Sequence, residues 1–365
     1  MPERRKAARQ QKRYSMHGGD IYRNHVKYDF SVNVNPLGMP DEMRNAVLEA
    51  MEHLDAYPDP EAEMLRNAIG KRLGVSPEEI IPGNGASEIF MAAVHALRPT
   101  EALLAAPSFS GYEYAVRSAG DCGIRYLMLD GKKDFALDEG CLEAIRAFGN
   151  AEVPLAFLAC PNNPNGKLIE PAFLKEILET CEENGVYLIL DECFLDFSER
   201  IEEYRRMLAG ARCPHLIRTG AYTKICAIPG VRLGYAVVTD AALRAEIRKQ
   251  LPEWNPSAFA QAAGSALYDE AEWMRRTREL IAAERAFLQS VLSEPAVAAK
   301  IGKYPTDANY MLLRSDLPLY DLLLEKGILI RCCADYPGLG EGYFRIAVKS
   351  HEENEILAAA LREIC

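Results

Sequence analysis

Apolar and polar positions along the chain alternate in a way that predicts strands separated by helices. Apolar residues recur about every 3.6 positions in segments such as 172–183, which is typical of a helix that packs by one face. Short apolar runs without polar alternation predict strands buried on both faces, as in a parallel sheet covered by helices. Six such runs occupy residues 102–106, 124–129, 155–159, 187–190, 215–219 and 235–239. The order of these elements predicts an α/β fold.

The pattern changes after residue 239. A charged helical stretch over 270–293 is followed by shorter segments, which predict strands at 309–314, 328–331 and 343–348 and a closing helix at 352–364. We therefore expect a large domain with a mostly parallel sheet over 45–240 and a small α+β domain over 241–365. In this prediction residues 1–44 form an N-terminal segment, with a basic tail and then a loop that packs with the small domain.

Charge and hydropathy exclude several classes of protein. No apolar stretch approaches the roughly 20 residues of a membrane-spanning helix, and the basic N-terminus lacks the apolar core of a secretory signal. The first fifteen residues hold six basic residues and one acidic residue, so the remaining chain has a formal charge of −16, against −11 for the whole. This acidity argues against a nucleic-acid partner, and we interpret the tail as a solvated terminus rather than a nucleic-acid-binding arm. The sequence predicts a cytoplasmic protein with no membrane partner.

The ten cysteines and six histidines show no metal-binding pattern. There is no C-x-x-C pair and no H-E-x-x-H motif, and several cysteines lie in apolar segments. We interpret the cysteines as small buried residues in a reducing compartment, and we expect no metal site.

Candidate chemistry lies directly after three of the predicted strands. Asn163 follows one strand, Asp191 the next and Lys224 the third. Each has an ordinary structural explanation, namely a turn, a helix cap and a solvated lysine. Together they match a pyridoxal-phosphate site, because a lysine can form a Schiff base, an acid can pair with a pyridinium nitrogen and an asparagine can donate to a phenolate. Ligands of doubly wound sheets collect at this edge.

The residues around Lys224 carry a resemblance to a known family. Thr223-Lys224, followed by Pro229-Gly-Val-Arg232-Leu-Gly, resembles the class I/II aminotransferase superfamily of fold-type I pyridoxal-phosphate enzymes. The resemblance extends from His17 to the end, and it is strongest to the branch with histidinol-phosphate aminotransferase and threonine-phosphate decarboxylase. It implies an aspartate-aminotransferase-like fold and pyridoxal 5'-phosphate as cofactor.

The same resemblance implies roles for individual residues around the cofactor. Lys224 would be the catalytic Schiff-base lysine next to Thr223, Arg232 a ligand of the cofactor phosphate, Asp191 the catalytic acid facing the pyridine nitrogen, and Asn163 the partner of the ring hydroxyl. Ala221 departs from the usual Ser or Thr three residues before the lysine, so one phosphate ligand is missing.

A second motif, Gly83-Asn-Gly85-Ala86-Ser87-Glu88, leads into a predicted helix. Backbone N–H groups at a helix start bind phosphate, although an ordinary helix cap gives the same sequence pattern. The resemblance implies that Gly85, Ala86 and Ser87 form the phosphate cup. It also implies that Phe109 stacks on the cofactor ring, against the alternative of a core phenylalanine. Tyr57 matches a tyrosine that reaches the cofactor phosphate of the partner subunit, which predicts a homodimer.

Substrate recognition is expected from both ends of the chain. Arg345 matches the arginine that clamps a substrate carboxylate, a task for which a bidentate guanidinium is well suited, against the alternative of a solvated strand arginine. Arg331 lies where phosphate-recognising members carry a second arginine. Asn33 and Asn35 resemble the N-terminal substrate loop, and His17 precedes it.

The sequence leaves the reaction open between two outcomes. Phe194 stands where most transaminases of the family have a tyrosine, and the segment from His17 to Gly38 resembles threonine-phosphate decarboxylases, which convert O-phosphothreonine to aminopropanol phosphate and CO₂. The alternative is a histidinol-phosphate or related aminotransferase that uses 2-oxoglutarate. A non-enzymatic pyridoxal-phosphate sensor is more remote, because only about 16 residues precede His17, too few for a DNA-binding fold. An oxidoreductase is disfavoured because the dinucleotide glycine fingerprint is incomplete.

Overall fold

A computed structural model describes residues 18–211, 213–266 and 271–365 of the chain. In this part the strands are β1 (Tyr28–Asp29), β2 (Ile80–Gly83), β3 (Glu101–Ala106), β4 (Gly123–Met128), β5 (Pro154–Ala159), β6 (Tyr187–Asp191), β7 (Leu216–Ala221), β8 (Gly234–Val238), β9 (Ile301–Lys303), β10 (Tyr310–Ser315), β11 (Ile328–Leu329), β12 (Arg331–Cys332) and β13 (Tyr343–Ala347).

Helices connect most of these strands. They are α1 (Asp41–Ala50), α2 (Glu63–Leu73), α3 (Ala86–Leu97), α4 (Ser110–Ser118), α5 (Gly140–Phe148), α6 (Pro171–Glu183), α7 (Ile201–Ala209), α8 (Tyr222–Ile225), α9 (Ala241–Arg248), α10 (Ala258–Ser265), α11 (Ala271–Val291), α12 (Pro295–Ala298), α13 (Leu319–Glu325) and α14 (His351–Ile364). None of the described helices is both long enough and apolar enough to cross a bilayer.

The central sheet has seven strands in the order β2-β8-β7-β6-β5-β3-β4. All run parallel except β8, which is antiparallel to β2 and β7. Helices cover both faces: successive residues of a strand point to opposite sides, so Leu103 packs with α5 and α6 while Leu104 packs with α3 and α4. The predicted α/β fold with a mostly parallel sheet is confirmed.

Two strands of this sheet differ from the sequence prediction. β2 was not predicted, because its two isoleucines are followed at once by Pro82 and Gly83, a turn-like sequence. The segment predicted over 124–129 was expected to be buried on both faces, and this is wrong for β4, which has no fully buried residue. The reason is its position: β4 is the edge strand and pairs only with β3.

A second sheet of four antiparallel strands, β12-β13-β10-β9, lies in the C-terminal part of the chain. The N-terminal segment joins this part, since β1 pairs in parallel with β11 and Phe30 donates its N–H to the carbonyl of Leu329 at 2.7 Å. These contacts agree with the expected packing of the N-terminal loop against the small domain. The residue boundaries 1–44, 45–240 and 241–365 remain predictions.

Candidate active site

A cavity of about 400 Å³ opens at the carboxyl ends of the parallel strands and extends to β12 and β13. Such strand ends present backbone and loop groups to ligands. The cavity brings together twelve of the residues predicted from the sequence: Asn33, Ala86, Ser87, Phe109, Asn163, Asp191, Phe194, Thr223, Lys224, Arg232, Arg331 and Arg345.

One end of the cavity combines a helix start with an arginine, Arg232, a combination that can bind an anion. Gly85, with φ +85°, directly precedes the 12-residue helix α3, and the first two residues of that helix, Ala86 and Ser87, line the cavity. The unpaired backbone N–H groups of the helix start therefore lie at this end of the cavity. A Cβ on Gly85 would lie 2.5 Å from a guanidinium nitrogen of Arg232, and one on Gly234 would meet the backbone of Gly85 at 2.6 Å. Two glycines therefore let the helix start and the arginine approach each other closely.

Asp191 ends β6 and is buried at the floor of the cavity. Its Oδ2 accepts a hydrogen bond from the Tyr112 hydroxyl at 2.6 Å, and its Oδ1 accepts one from the backbone N–H of Cys193 at 2.9 Å. Burial raises the pKa of Asp191, and the hydrogen bonds to Cys193 and Tyr112 oppose that rise.

Lys224 lies on α8, the short helix that directly follows β7. Burial, together with the positive charges of Arg345 and Arg232, lowers the pKa of its ammonium to about 8. A substantial fraction of this amine is therefore neutral near pH 8, which is the state that a nucleophile or base requires.

Arg345 is held in place by neighbours from three parts of the chain. Its guanidinium donates to Asn163 Oδ1 and, at 2.9 Å, to the carbonyl of Ser31, and it lies 5.4 Å from the ring centroid of Tyr310. Its Nε is buried without a hydrogen-bond partner among the described residues. An unsatisfied buried donor is costly, so this nitrogen fits an anionic ligand.

Arg331 is buried on β12 and held by Asp335, whose two oxygens accept from one guanidinium nitrogen at 2.9 and 2.7 Å. Tyr336 packs against the guanidinium, with 5.2 Å between the Arg331 Cζ and the ring centroid. Arg331 and Arg345, with Arg232 and Lys224, give the cavity four basic groups, against the single carboxylate of Asp191 among its lining side chains.

Comparisons with known proteins agree with this geometry. A family model for aminotransferases of class I and II matches residues 25–361. The chain belongs to this family. Its members use pyridoxal phosphate, so the cofactor and the enzyme class predicted from the sequence are confirmed.

Relatives within the family include both kinds of enzyme. Threonine-phosphate decarboxylase of Salmonella typhimurium is 36% identical over 340 residues, which cover 92% of this chain and 90% of that protein. Histidinol-phosphate aminotransferase of an Anaeromyxobacter species is 31% identical over 338 residues, covering 91% and 89%. The crystal structure of histidinol-phosphate aminotransferase from Clostridium acetobutylicum superposes with a TM-score of 0.81 at 28% identity, covering 92% of this chain and 98% of that one.

Three of the predicted site residues in the described part of the chain do not line the cavity. Asn35 is a correction to the expected substrate loop: its amide donates to the carbonyl of Ile225 at 2.8 Å and to Thr277 at 2.9 Å, so it fastens the N-terminal segment beside α8. Gly85 lies next to the Arg232 guanidinium, and its lack of a side chain makes room for that group. Tyr57 is 76% exposed and stacks on Trp254. His17 lies outside the described residues.

Several residues that line the cavity were not predicted from the sequence. Tyr112 follows Phe109 by three residues, one helical turn, so its position on the same face was a signal that could have been used. Tyr336 and Ser31 carried no comparable signal, because they reach the site through a loop after β12 and through a backbone carbonyl.

One cluster of potential metal ligands lies away from the cavity. Glu182, Cys213 and His215 converge near the start of β7, whereas Lys224 follows the other end of this strand. Glu182 Oε2 lies 3.0 Å from both the Cys213 sulfur and His215 Nδ1. Hydrogen bonds among the three side chains account for their arrangement.

Proposed function

We propose that this member of the family is a pyridoxal-phosphate-dependent decarboxylase that converts O-phosphothreonine to aminopropanol phosphate and CO₂. The observation that carries the proposal is the pair of buried arginines facing Lys224 across one cavity. Two separate guanidinium groups suit a substrate that carries two anionic groups, such as a carboxylate and a phosphate. The 36% identity to threonine-phosphate decarboxylase supports the same assignment.

The residues at the strand ends fit the cofactor. The helix start at Ala86 and Ser87, with Arg232, would hold the phosphate, Phe109 would cover the ring, and Asp191 would face the ring nitrogen. When bound, pyridoxal phosphate supplies an electron sink for the pair released as a bond to Cα breaks. Asn163 would donate to a ring oxygen through Nδ2, because its Oδ1 already accepts from Arg345.

The arginines would orient the substrate. Arg345, with its unpartnered Nε, would bind the carboxylate before it leaves, and Arg331 would take the phosphate. Asp335 fixes the Arg331 fork in advance, so less side-chain entropy is lost when the phosphate binds.

Lys224 would donate the proton that Cα takes after CO₂ has left. Loss of CO₂ would break the bond between Cα and the carboxylate carbon, and the bonding electron pair would stay on the Cα side, where the cofactor can accept it. Cα would then take one proton in place of CO₂. Nζ of Lys224 can donate that proton when charged, and its pKa of about 8 makes both protonation states accessible at neutral pH.

The experiment that tests the proposal follows both products. Purified enzyme loaded with pyridoxal phosphate is incubated with carboxyl-labelled O-phosphothreonine, and separately with histidinol phosphate and 2-oxoglutarate. We expect labelled CO₂ in stoichiometric amount with aminopropanol phosphate, and no glutamate. Glutamate formation without CO₂ release would reject the decarboxylase and favour the aminotransferase, to which relatives such as the 31% identical Anaeromyxobacter enzyme point.

We also propose that the active unit is a homodimer. An apolar surface segment supports this: Leu48, Met51, Leu54, Tyr57 and Met64 are each more than half exposed. Exposed apolar patches often mark an interface. Tyr57 stacks on Trp254 with ring centroids 4.5 Å apart and does not line the cavity of its own chain, which leaves it available to a partner. Light scattering should give twice the 40.6 kDa chain mass, and a monomeric mass would contradict the proposal.

The proposed location is the cytoplasm. All ten cysteines lie in the described residues and all are free thiols, which is usual in a reducing compartment. Fractionation of the cells that express the protein tests this location, and recovery outside the cytoplasmic fraction would contradict it.

A further inference from the structure

We propose that Tyr112 is the positioning residue of Asp191: its hydroxyl holds the carboxylate ionised and fixed in the orientation that meets the ring nitrogen of the cofactor. The proposal rests on the part of the proposed function that places this nitrogen at Asp191. It does not depend on which bond of the substrate is broken.

The two oxygens of Asp191 are held by two different donors. Tyr112 on α4 donates to Oδ2 at 2.6 Å, and the backbone N–H of Cys193 donates to Oδ1 at 2.9 Å. These two bonds fix both torsions of a short side chain. A carboxylate accepts about four hydrogen bonds, so each oxygen still has a lone pair for the cavity.

The ring of Tyr112 is packed tightly by other aromatic rings, which fixes the direction of its hydroxyl. Its ring is 1% exposed and stacks on Phe157 with centroids 5.1 Å apart and 17° between the planes. Phe90 and Phe109 pack edge-on at 5.3 and 5.6 Å. Phe109 is the residue expected to cover the cofactor ring. The same aromatic cluster therefore contains both Phe109 and Tyr112, the donor to Asp191.

Tyr112 and Cys193 are the hydrogen-bond donors that oppose the effect of burial on the Asp191 carboxyl. The titratable groups that face it are Tyr112 from α4, Cys193 after β6 and Tyr310 from β10, and Lys224 lines the same cavity. Burial raises the pKa of Asp191, whereas the hydrogen bonds oppose this rise. Burial and the negative charge of Asp191 raise the pKa of Tyr112 well above its usual value, so the phenol keeps the proton that it donates.

Tyr112→Phe tests the proposal, because it removes the hydroxyl and keeps the ring. The chain offers a matched control in Tyr204→Phe: Tyr204 is equally buried and donates at 2.6 Å to the carbonyl of Ile169, outside the cavity. The probe is 4'-deoxypyridoxine phosphate, which has the ring nitrogen and phosphate but no aldehyde, so its affinity does not depend on Lys224 chemistry. Affinity is measured by fluorescence at pH 6 and pH 8, with inorganic phosphate as a second probe.

We expect Tyr112→Phe to weaken binding of the probe by at least about 10-fold, which is the size of a hydrogen bond to a charged group. The loss should be larger at pH 6, because without the donor Asp191 is protonated at a higher pH. Phosphate affinity should not change, and Tyr204→Phe should match the wild type for both probes. In an Asp191→Asn background the Tyr112 substitution should have no further effect.

Three results would overturn the proposal. These are wild-type affinity of Tyr112→Phe at both pH values, an equal loss in the Tyr204 control, and an undiminished effect in the Asp191→Asn background. The last comparison also detects a loss caused only by poorer packing. Failure of the proposed reaction is seen separately, as absent CO₂ release by wild-type enzyme that binds the probe normally.

Discussion

Arg331 and Arg345 lie directly opposite each other on the antiparallel strands β12 and β13, and both side chains line the cavity. Like charges in this relationship repel each other and destabilise a sheet. Asp335 offsets one of them, and the buried Nε of Arg345 has no partner in the described chain. The pair is best explained as a receptor for two anionic groups of one substrate.

Replacing Arg331 should therefore reduce recognition of the phosphate alone. For Arg331→Gln we expect kcat/KM with O-phosphothreonine to fall by about 10- to 100-fold, because one charged hydrogen-bonding partner is lost. Binding of threonine, which lacks the phosphate, should be unchanged. Steady-state kinetics and competition binding measure the two quantities, and equal losses for both ligands would contradict a phosphate-specific role.

Arg345 should also govern the pH at which Lys224 becomes reactive. Burial and then the charge of Arg345 lower the pKa of Lys224 to about 8. The rate at which apoenzyme attaches pyridoxal phosphate should rise with pH up to about 8 and level off above it, because the neutral amine is the reactive form. In Arg345→Gln the positive neighbour is gone, the pKa of Lys224 rises, and the plateau should move to higher pH. Stopped-flow absorbance gives both profiles.

Arg331→Gln is the control for this profile, because the main causes of the Lys224 pKa shift are burial and Arg345, followed by Cys193, Arg232 and Asp29. It should keep the wild-type pH dependence. An Arg345→Gln profile that coincides with the wild type would show that Arg345 does not lower the pKa of the lysine.

Gly85→Ala should impair cofactor binding through the phosphate cup. A Cβ there would lie 2.5 Å from the Arg232 guanidinium, at a φ of +85° that disfavours alanine. We expect at least about 10-fold weaker binding of pyridoxal phosphate and of inorganic phosphate, as one charge-assisted contact is disrupted. Gly74→Ala is the matched control, since Gly74 has φ +67° with open space around its Cβ position. It should cost about 1 kcal/mol of stability and leave affinity unchanged.

Phe194→Tyr should change the electronic state of the cofactor. Phe194 lines the cavity and packs edge-on against Tyr310 at 4.9 Å, with no hydroxyl to offer to a ring oxygen. A tyrosine hydroxyl that donates to the ionised ring oxygen would lower the pKa of the bound cofactor. Absorbance titration of the loaded variant should show its spectral transition at lower pH than the wild type, and an unchanged midpoint would mean that position 194 does not reach the ring.

The sequence was sufficient to predict the strand-end residues, and the reason is physical. Asn163, Asp191 and Lys224 each follow a buried parallel strand, and parallel strands end at one edge of the sheet, so their convergence follows from topology. Burial of β4 was mispredicted because sequence does not give strand order, and an edge strand can be as apolar as a central one.

Contacts that depend on side-chain packing could not be predicted from the sequence. The hydrogen bond from Tyr112 to Asp191 joins residues 79 positions apart, and only the stacking of α4 against β5 and β6 brings them together. Asn35 shows the converse: its place in a recognised loop suggested substrate, whereas packing against α8 and α11 directs its amide to Ile225 and Thr277.

If the cavity around Lys224 is the cofactor site, Lys224 is the residue to which pyridoxal phosphate becomes attached. The enzyme is loaded with pyridoxal phosphate, reduced with borohydride and digested, and the modified peptide is found by mass spectrometry. We expect a single stable cofactor adduct on Lys224. In Lys224→Ala we expect no adduct, although the variant still binds the phosphate group of the cofactor. A stoichiometric adduct on another lysine, or an adduct that persists in Lys224→Ala, would contradict it.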